Sequence, residues 1–341
     1  MSSRTERTVM PPAPTAGRRL AGLAARGGAL PLLLLICLVI FQSGNPRFLS
    51  QANLLNMLQQ GIYLLLIALG QMAVLLSGGF DLSVGANVAL TSIISGNAMV
   101  MALNVQPDHE WLAVAAGFAA TVAVGLFAGL ANGLGVSALG VNPFIVTLAT
   151  ASIFQGITLV VSQGLEVSGL PGPFVYGIGS GFLFGLPVAV LLALPAVLLV
   201  FFLVHRMRYG RYLFAIGSNP KAAIVAGVSV GRVLTGTYLL CALITAFSGF
   251  LLTARVSSGE PLLGAEFPLR SITAAVIGGC SLRGGQGSVG GTILGVVFIT
   301  VLGNGMDLLR IGSNAQMIVI GLVLVGAVLL DRRRTAQGMR R

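Results

Sequence analysis

The chain has 341 residues, of which 55% are hydrophobic and only 9% charged, with a mean hydropathy of +0.94. Soluble domains carry about 25% charged residues, so a globule this size with so little charge cannot wet its own surface, and composition predicts an all-α integral membrane protein in a lipid bilayer. The formal charge of +11 does not point to nucleic acid: the basic residues sit in tight clusters with no interleaved aromatics on which bases would stack.

Residues 1–26, rich in Arg, Pro, Ala and Thr, read as a cytoplasmic basic tail. The apolar run from Gly27 to Pro46 lacks a small-x-small cleavage site and precedes many more spans, which makes it an uncleaved first helix rather than a signal peptide. A helix needs about 20 apolar residues to cross. Uncharged stretches long enough follow at 48–80, 82–107, 111–165 (two helices, divided at Val141-Asn142-Pro143), 183–204, 233–254, 284–306 and 311–330. Between Arg270 and Arg283 only 12 uncharged residues remain, short of a full crossing unless the helix begins near Leu262. The expectation is about ten transmembrane helices in a single domain, 27–330, with broken or half-crossing segments near 78–85 and 270–288. A second basic tail follows at 331–341.

Charge placement orients this array. Arg4, Arg7, Arg18, Arg19 and Arg26 precede the first span, and Arg332, Arg333, Arg334, Arg340 and Arg341 follow the last. Arg206, Arg208, Arg211, Lys221 and Arg232 share one central loop, 205–232. With ten spans all three clusters fall inside, as the positive-inside rule requires, and both termini are cytoplasmic. Outer loops then receive Asp108, Glu110, Glu166, Glu260, Glu266 and Asp307. Small residues recur every fourth position at Gly117, Thr121, Gly125, Gly129, Gly133 and Ser137, and again at Gly287, Gly291 and Gly295. Such stripes let helix backbones approach closely in lipid.

Enzyme signatures are weak. Gly285-Gln-Gly-Ser-Val-Gly290 fits GxGxxG, but it has neither the preceding strand nor the acid about 20 residues on that a dinucleotide fold needs. The single lysine, Lys221, follows Asn219-Pro220 rather than a phosphate-binding loop. No ATP site is expected, and ATP and Mg would belong to a separate subunit. Cys37, Cys241 and Cys280 are isolated in apolar surroundings, and His109 and His205 lack partners. No catalytic residue, no metal site and no cofactor bound by this chain are expected.

Three stretches stand out. In SGGFDLSVGAN, Asp81 is the only charged residue between Arg47 and Asp108. A carboxylate near the bilayer centre costs about 2.5–3.5 kcal/mol on insertion scales, so such groups are paired or face a cavity. Gly78-Gly79 breaks the helix, and Asp81 or Ser83 is placed to cap the next one against its positive dipole end. IGGCSLRGGQGSVGGTI (Ile277–Ile293) echoes this pattern after a short helix. GRYLFAIGSNPKAAIVAGVSVGR (Gly210–Arg232) is the long inner loop. There Asn219 suits an N-cap and Pro220 the first helical position, with Ala222, Ala223 and Gly227 offering a shallow face.

Together these stretches resemble the permease subunit of bacterial ABC importers for ribose and related sugars. The resemblance runs from about Asn53 and rests on GGFDLSVG (Gly78–Gly85), NPFIVTLAT (Asn142–Thr150), GRYLFAIGSNPKAA (Gly210–Ala223), GGCSLRGGQGS (Gly278–Ser288) and LGNGMDLL (Leu302–Leu309), in this order. It implies a permease in the bacterial inner (cytoplasmic) membrane that forms the translocation path for a sugar or similar small polar solute. Implied partners are a second permease copy, identical or different, a cytoplasmic ATP-binding subunit, and a periplasmic or extracellular solute-binding protein. It also implies ATPase coupling through Asn219, Pro220, Lys221, Ala222, Ala223 and Gly227. The wider class has Glu where Lys221 stands, while the Ala-Ala-x-x-x-Gly spacing is kept.

If the chain is a permease, polar side chains within apolar spans are expected to face the path, because hydrocarbon cannot satisfy an amide. The candidates are Gln59, Gln60, Gln71, Asn87, Asn97, Asn132, Gln155 and Asn304, about half of which are expected to bind helices together instead. Glu166, Arg255, Glu260, Glu266, Asp307 and Arg310 are the outer charges placed to dock a binding protein. The alternative is an ion-gradient-driven secondary transporter of small polar solutes. It needs intramembrane acids, and Asp81 is its only candidate.

Overall fold

The computed structural model describes residues 30–338, so the tail at 1–26 lies outside the described residues. In chain order come α1 (Leu30–Gly44), α2 (Gln51–Leu76), α3 (Val84–Val105), α4 (Glu110–Ser137) and α5 (Pro143–Ser162). A π-helical segment (Pro173–Gly179) and a two-stranded hairpin, β1 (Phe182–Leu183) and β2 (Leu186–Pro187), lead into α6 (Val188–His205). Then follow α7 (Arg208–Ser218), α8 (Pro220–Val225), α9 (Val230–Val256), α10 (Phe267–Ile277), α11 (Val289–Leu308) and α12 (Ser313–Gly338). Through residue 338 the second tail continues α12 as helix.

The protein is an all-α membrane protein. Among the described residues seven helices, α2–α6, α9 and α11, are long and apolar enough to cross a membrane, and α1, α10 and the apolar part of α12 are shorter. At 11 residues and a rise of about 1.5 Å each, α10 is about 16 Å long, half of a hydrocarbon core of about 30 Å. It does not begin near Leu262 to make a full crossing. Residues 261–266 form turns instead, and α10 packs its buried Thr273–Val276 face among α2, α11 and α12.

Helix starts follow the local chemistry. Asn142 Oδ1 accepts the Phe144 N–H at 2.9 Å with Pro143 in the first turn of α5, and Asn219 Oδ1 accepts the Ala222 N–H at 3.1 Å with Pro220 in the first turn of α8. Asn suits the cap, and proline loses no hydrogen bond at the first helical position. Ser50 and Ser288 cap α2 and α11 in the same manner.

The helix α2 is the axis of the bundle, packed by α6, α9, α10 and α11, and all ten of its residues from Ile67 to Leu76 are buried. The predicted small-residue stripe of α4 lies against α9 from Gly125 to Ser137, while Gly117 meets Met99 of α3. A Cβ on Gly125, Gly129 or Gly133 would come within 3.0 Å of Leu243, Leu239 or Thr235, and Ser137 shares a 2.7 Å hydrogen bond with Thr235. Gly291 and Gly295 likewise seat α11 on the carbonyls of Gly278 and Ala274. In lipid this close approach supplies the dispersion contacts that hold helices together.

Candidate functional site: a glycine junction and a buried carboxylate

The basic loop marks one end of the bundle, and there the three singled-out stretches meet. Leu76, the last residue of α2, offers its carbonyl to the Gly285 N–H at 2.9 Å. Gly217 of α7 lies over the same spot, where an added Cβ would stand 1.9 Å from the Leu76 oxygen and 2.4 Å from the Gly285 nitrogen. A Cβ on Gly284 would come within 2.9 Å of Gly78 and one on Gly285 within 2.4 Å of Ser218 Oγ. Backbone therefore touches backbone where the end of α2, the glycine turn after α10 and the α7–α8 corner converge. Tyr209 ties α7 to α9 through a 2.7 Å hydrogen bond with Thr237, and burial pushes its phenol up to about 12, the Thr237 bond opposing that shift.

Gly217 gives a test of sign. Alanine in a helix interior normally gains roughly 0.5–1 kcal/mol over glycine. At Gly217 the new methyl overlaps two backbones, an overpacking of about 1–3 kcal/mol. Gly217→Ala is expected to lower the Tm of the purified permease, whereas Gly231→Ala, whose Cβ meets open space, is expected to leave it unchanged or raise it.

From this junction the chain re-enters the protein. After Leu76 it turns at Ser77–Gly79 and runs back beside α2, where the Gln71 amide donates to the Asp81 carbonyl at 3.0 Å and accepts the Asp81 N–H at 3.2 Å. Asp81 thus sits five residues, or about 8 Å, inside the end of α2, and is 1% exposed. Its Oδ1 accepts the Ser83 N–H at 2.9 Å and the Ser83 hydroxyl at 2.6 Å. Asn132 Nδ2 of α4 donates to Ser83 Oγ at 2.7 Å and reaches both carboxylate oxygens at 3.4 and 3.5 Å. Thr150 of α5 donates to Asn132 Oδ1 at 2.6 Å. Tyr238 of α9 donates to the Phe80 carbonyl at 3.2 Å. Phe80 is therefore bonded to α9, Asp81 to α2, and both Asp81 and Ser83 to Asn132 of α4.

Capping differs from the expectation. Ser83 occupies the N-cap position of α3, but its side chain makes no cap bond. The Asp81 carboxyl takes the Ser83 hydroxyl as well as its N–H. Asp81 closes the turn and faces the positive end of α3, while the Ser83 hydroxyl joins Asp81 to Asn132.

The expected path residues divide. Gln59, Asn87 and Gln155 donate across the bundle to the carbonyls of Gly179, Ala242 and Pro261 at 2.8, 3.0 and 2.9 Å. Gln71 and Asn132 belong to the Asp81 network, and Asn97 is half-buried on α3. A buried amide takes a neighbouring polar group of the protein, so Gln59, Gln71, Asn87 and Asn132, all buried, tie separate elements together. Gln60 and Asn304 line a cleft of about 310 Å³ between α2, α10, α11 and α12, at the end away from the basic loop, and the buried Asn304 also ties α11 to α2 through paired amide hydrogen bonds with Asn53 at 2.8 and 3.0 Å. Arg270, Thr300, Asp307 and Gln316 share that lining.

Of the coupling residues, Lys221, Ala222 and Gly227 are exposed, but Ala223 is 3% exposed and packed in the main core cluster. It faces the body of the protein, opposite to the expected outward face, because α8 rests on α7 and α9 through that side. The outward face carries Ile224 and Val225, 60% and 90% exposed, which sequence reading passed over. Of the outer charges, Glu166, Arg255, Asp307 and Arg310 are exposed, and Glu266 is paired with Arg270. A β-bridge between Val167 and Gly259 draws Glu166 and Glu260 together, and Ser92 Oγ holds the Glu260 N–H at 3.0 Å.

Comparison with known proteins fits this architecture. The family described as "Branched-chain amino acid transport system / permease component" matches residues 53–328. The ribose import permease protein RbsC of Bacillus subtilis is 40% identical over 308 residues, covering 90% of this chain and 93% of its own. The galactose/methyl galactoside import permease protein MglC of Haemophilus influenzae is 34% identical over 91% of this chain and 95% of its own length. The D-allose transport system permease protein AlsC of Escherichia coli is 35% identical over 88% and 90%. No solved structure matches the chain significantly. Matched over most of its length by the family and by sugar-system permeases 34–40% identical to it, this multi-pass membrane chain belongs to the permease family of ABC importers.

Proposed function

We propose that this permease forms the translocation path for a sugar in an ATP-driven importer. The observation that carries the reading is near-complete coverage by relatives named for ribose, galactose and allose, with the structure supplying a predominantly helical, membrane-spanning body for it. The polar cleft supports it. At about 310 Å³ it is at the lower end of the roughly 300–1,000 Å³ range of small-molecule sites. Gln60, Thr300, Asp307 and Arg270 line it with polar groups suited to a neutral, many-hydroxyl solute, beside the amides of Asn304 and Gln316, which are bonded to Asn53 and Asp307.

In this reading the basic end is cytoplasmic, both termini lie there, and the membrane is the bacterial cytoplasmic membrane. A second permease copy completes the pore. A separate ATPase, carrying its own ATP and Mg, docks against α8. A solute-binding protein delivers the sugar to the opposite end, where Glu166 and Glu260 sit together and Arg255, Glu266, Asp307 and Arg310 rim the surface. Uptake of labelled ribose, galactose and allose by cells with and without the gene tests the substrate class. At least one sugar is expected to lose its high-affinity uptake on deletion and regain it on complementation. Unchanged uptake of every pentose and hexose tried, alongside lost uptake of a branched-chain amino acid, would overturn the sugar assignment.

A further inference from the structure

The hairpin before α6 has no part in the coupling junction or the cleft, yet it presents the most exposed aromatic side chain of the described residues. Phe182 pairs with Pro187 and Leu183 with Leu186, leaving Phe184 and Gly185 as a two-residue turn with φ of 54° and 77°. Positive φ at both central positions defines a type I′ turn, normally built from Asn and Gly. A bulky aromatic in the left-handed region is an outlier, and an observed outlier of this kind is a pointer to function. Phe184 is 91% exposed, and Phe182 and Leu183 are 58% and 50% exposed.

Three observations say what covers this tip. First, no charged residue lies between Glu166 and Arg206, so the hairpin has nothing with which to steer or register a soluble partner. Second, β2 runs directly into α6, the most apolar of the crossing helices and one of the two least buried, so the hairpin continues a lipid-facing surface. Third, Trp111 at the start of α4 and Tyr176 of the π-helical segment, 65% and 75% exposed, stand at the same end of the bundle. Tryptophan and tyrosine at one level are the mark of a membrane–water interface.

We propose that the 182–187 hairpin is an interfacial anchor whose Phe182, Leu183 and Phe184 insert into the headgroup–acyl boundary of the bilayer, at the end away from the basic loop. The anchor fixes the level of the π-helical segment just before it, whose Gly179 carbonyl receives the Gln59 amide from the central helix α2.

The full-length permease, reconstituted in phosphatidylcholine bilayers, tests this in a Trp111→Phe background carrying Phe184→Trp. The readout does not depend on which leaflet is occupied. Lipids brominated near the headgroup are expected to quench the new tryptophan roughly twofold more strongly than lipids brominated near the acyl end, as an insertion of about 5–10 Å requires. Aqueous iodide is expected to quench it much less than free tryptophan. Leu183→Trp leaves the native turn intact and is expected to report the same depth, which covers a folding defect at position 184. Iodide quenching at the free-tryptophan level with no lipid quenching in either variant would overturn the proposal. So would protection that arises only when an external binding protein is added, since that would make the tip a protein-docking element.

Discussion

Asp81→Ala is expected to be among the most damaging single substitutions in this protein. It removes the acceptor for the Ser83 N–H, the Ser83 hydroxyl and the Asn132 amide at once, in a site 1% exposed. Each buried donor left unsatisfied costs about 1–3 kcal/mol, against a total stability of about 5–15 kcal/mol. Asp81→Asn is expected to be milder, because its carbonyl still accepts from Ser83. Its new NH₂, however, faces the NH₂ of Asn132. The exchange Asp81→Asn with Asn132→Asp restores one carboxylate and one amide across the same gap, and the carboxylate then at position 132 still accepts from Thr150. Tm measured on the detergent-purified permease is expected to fall furthest for Asp81→Ala and to recover in the exchange above both Asp81→Asn and Asn132→Asp alone. Simple additivity of the two single effects would show that the carboxylate and amide are not coupled.

The second large effect is at α8, where the structure separates two roles that the sequence merges. Ile224 and Val225 project outward, 60% and 90% exposed, while Ala223 is in the core. Val225→Asp places a charge where an ATPase subunit is proposed to bury an apolar contact, and truncating or charging such a hot spot costs about 2 kcal/mol or more of binding. Uptake and permease-stimulated ATP hydrolysis are expected to fall at least tenfold with permease expression and Tm unchanged. Ala223→Trp is expected instead to lower Tm, since the ring has no space against α7 and α9. Val225→Asp with full ATPase stimulation would show that this face touches nothing.

Much of this fold is readable from local rules. Asn142-Pro143 and Asn219-Pro220 announce helix starts because cap and first-turn chemistry are fixed by adjacent residues. The apolar stretches fall on the helices because lipid enforces length. The stripe from Gly117 to Ser137 shows a contact face, though not that α9 is the main partner.

What stayed hidden depends on tertiary placement. The phase of six-residue α8 is set by the surface beneath it, so whether Ala223 or Val225 points outward is not encoded locally. Helix α7 hides because Arg208 and Arg211 interrupt its apolar signal, although Leu213 and Ile216, both buried, keep helical spacing. Leu183–Pro187 reads as the beginning of the α6 apolar run. Asp81 and Asn132 are 51 residues apart, and nothing near either indicates that Asn132 serves the carboxylate rather than the path. Likewise, only the folded chain brings Leu76, Gly217 and Gly285 to one point.

The most direct test of the account is the energy source of transport. The permease is reconstituted with its ATP-binding subunit and solute-binding protein in sealed proteoliposomes, and labelled sugar accumulation is followed with ATP on the subunit's side. Accumulation is expected to need ATP and the binding protein, to persist when ionophores collapse proton and sodium gradients, and to vanish in Val225→Asp. Accumulation driven by an imposed proton or sodium gradient without ATP, and lost in Asp81→Asn, would contradict the account and make the chain a secondary transporter with Asp81 as its ion site.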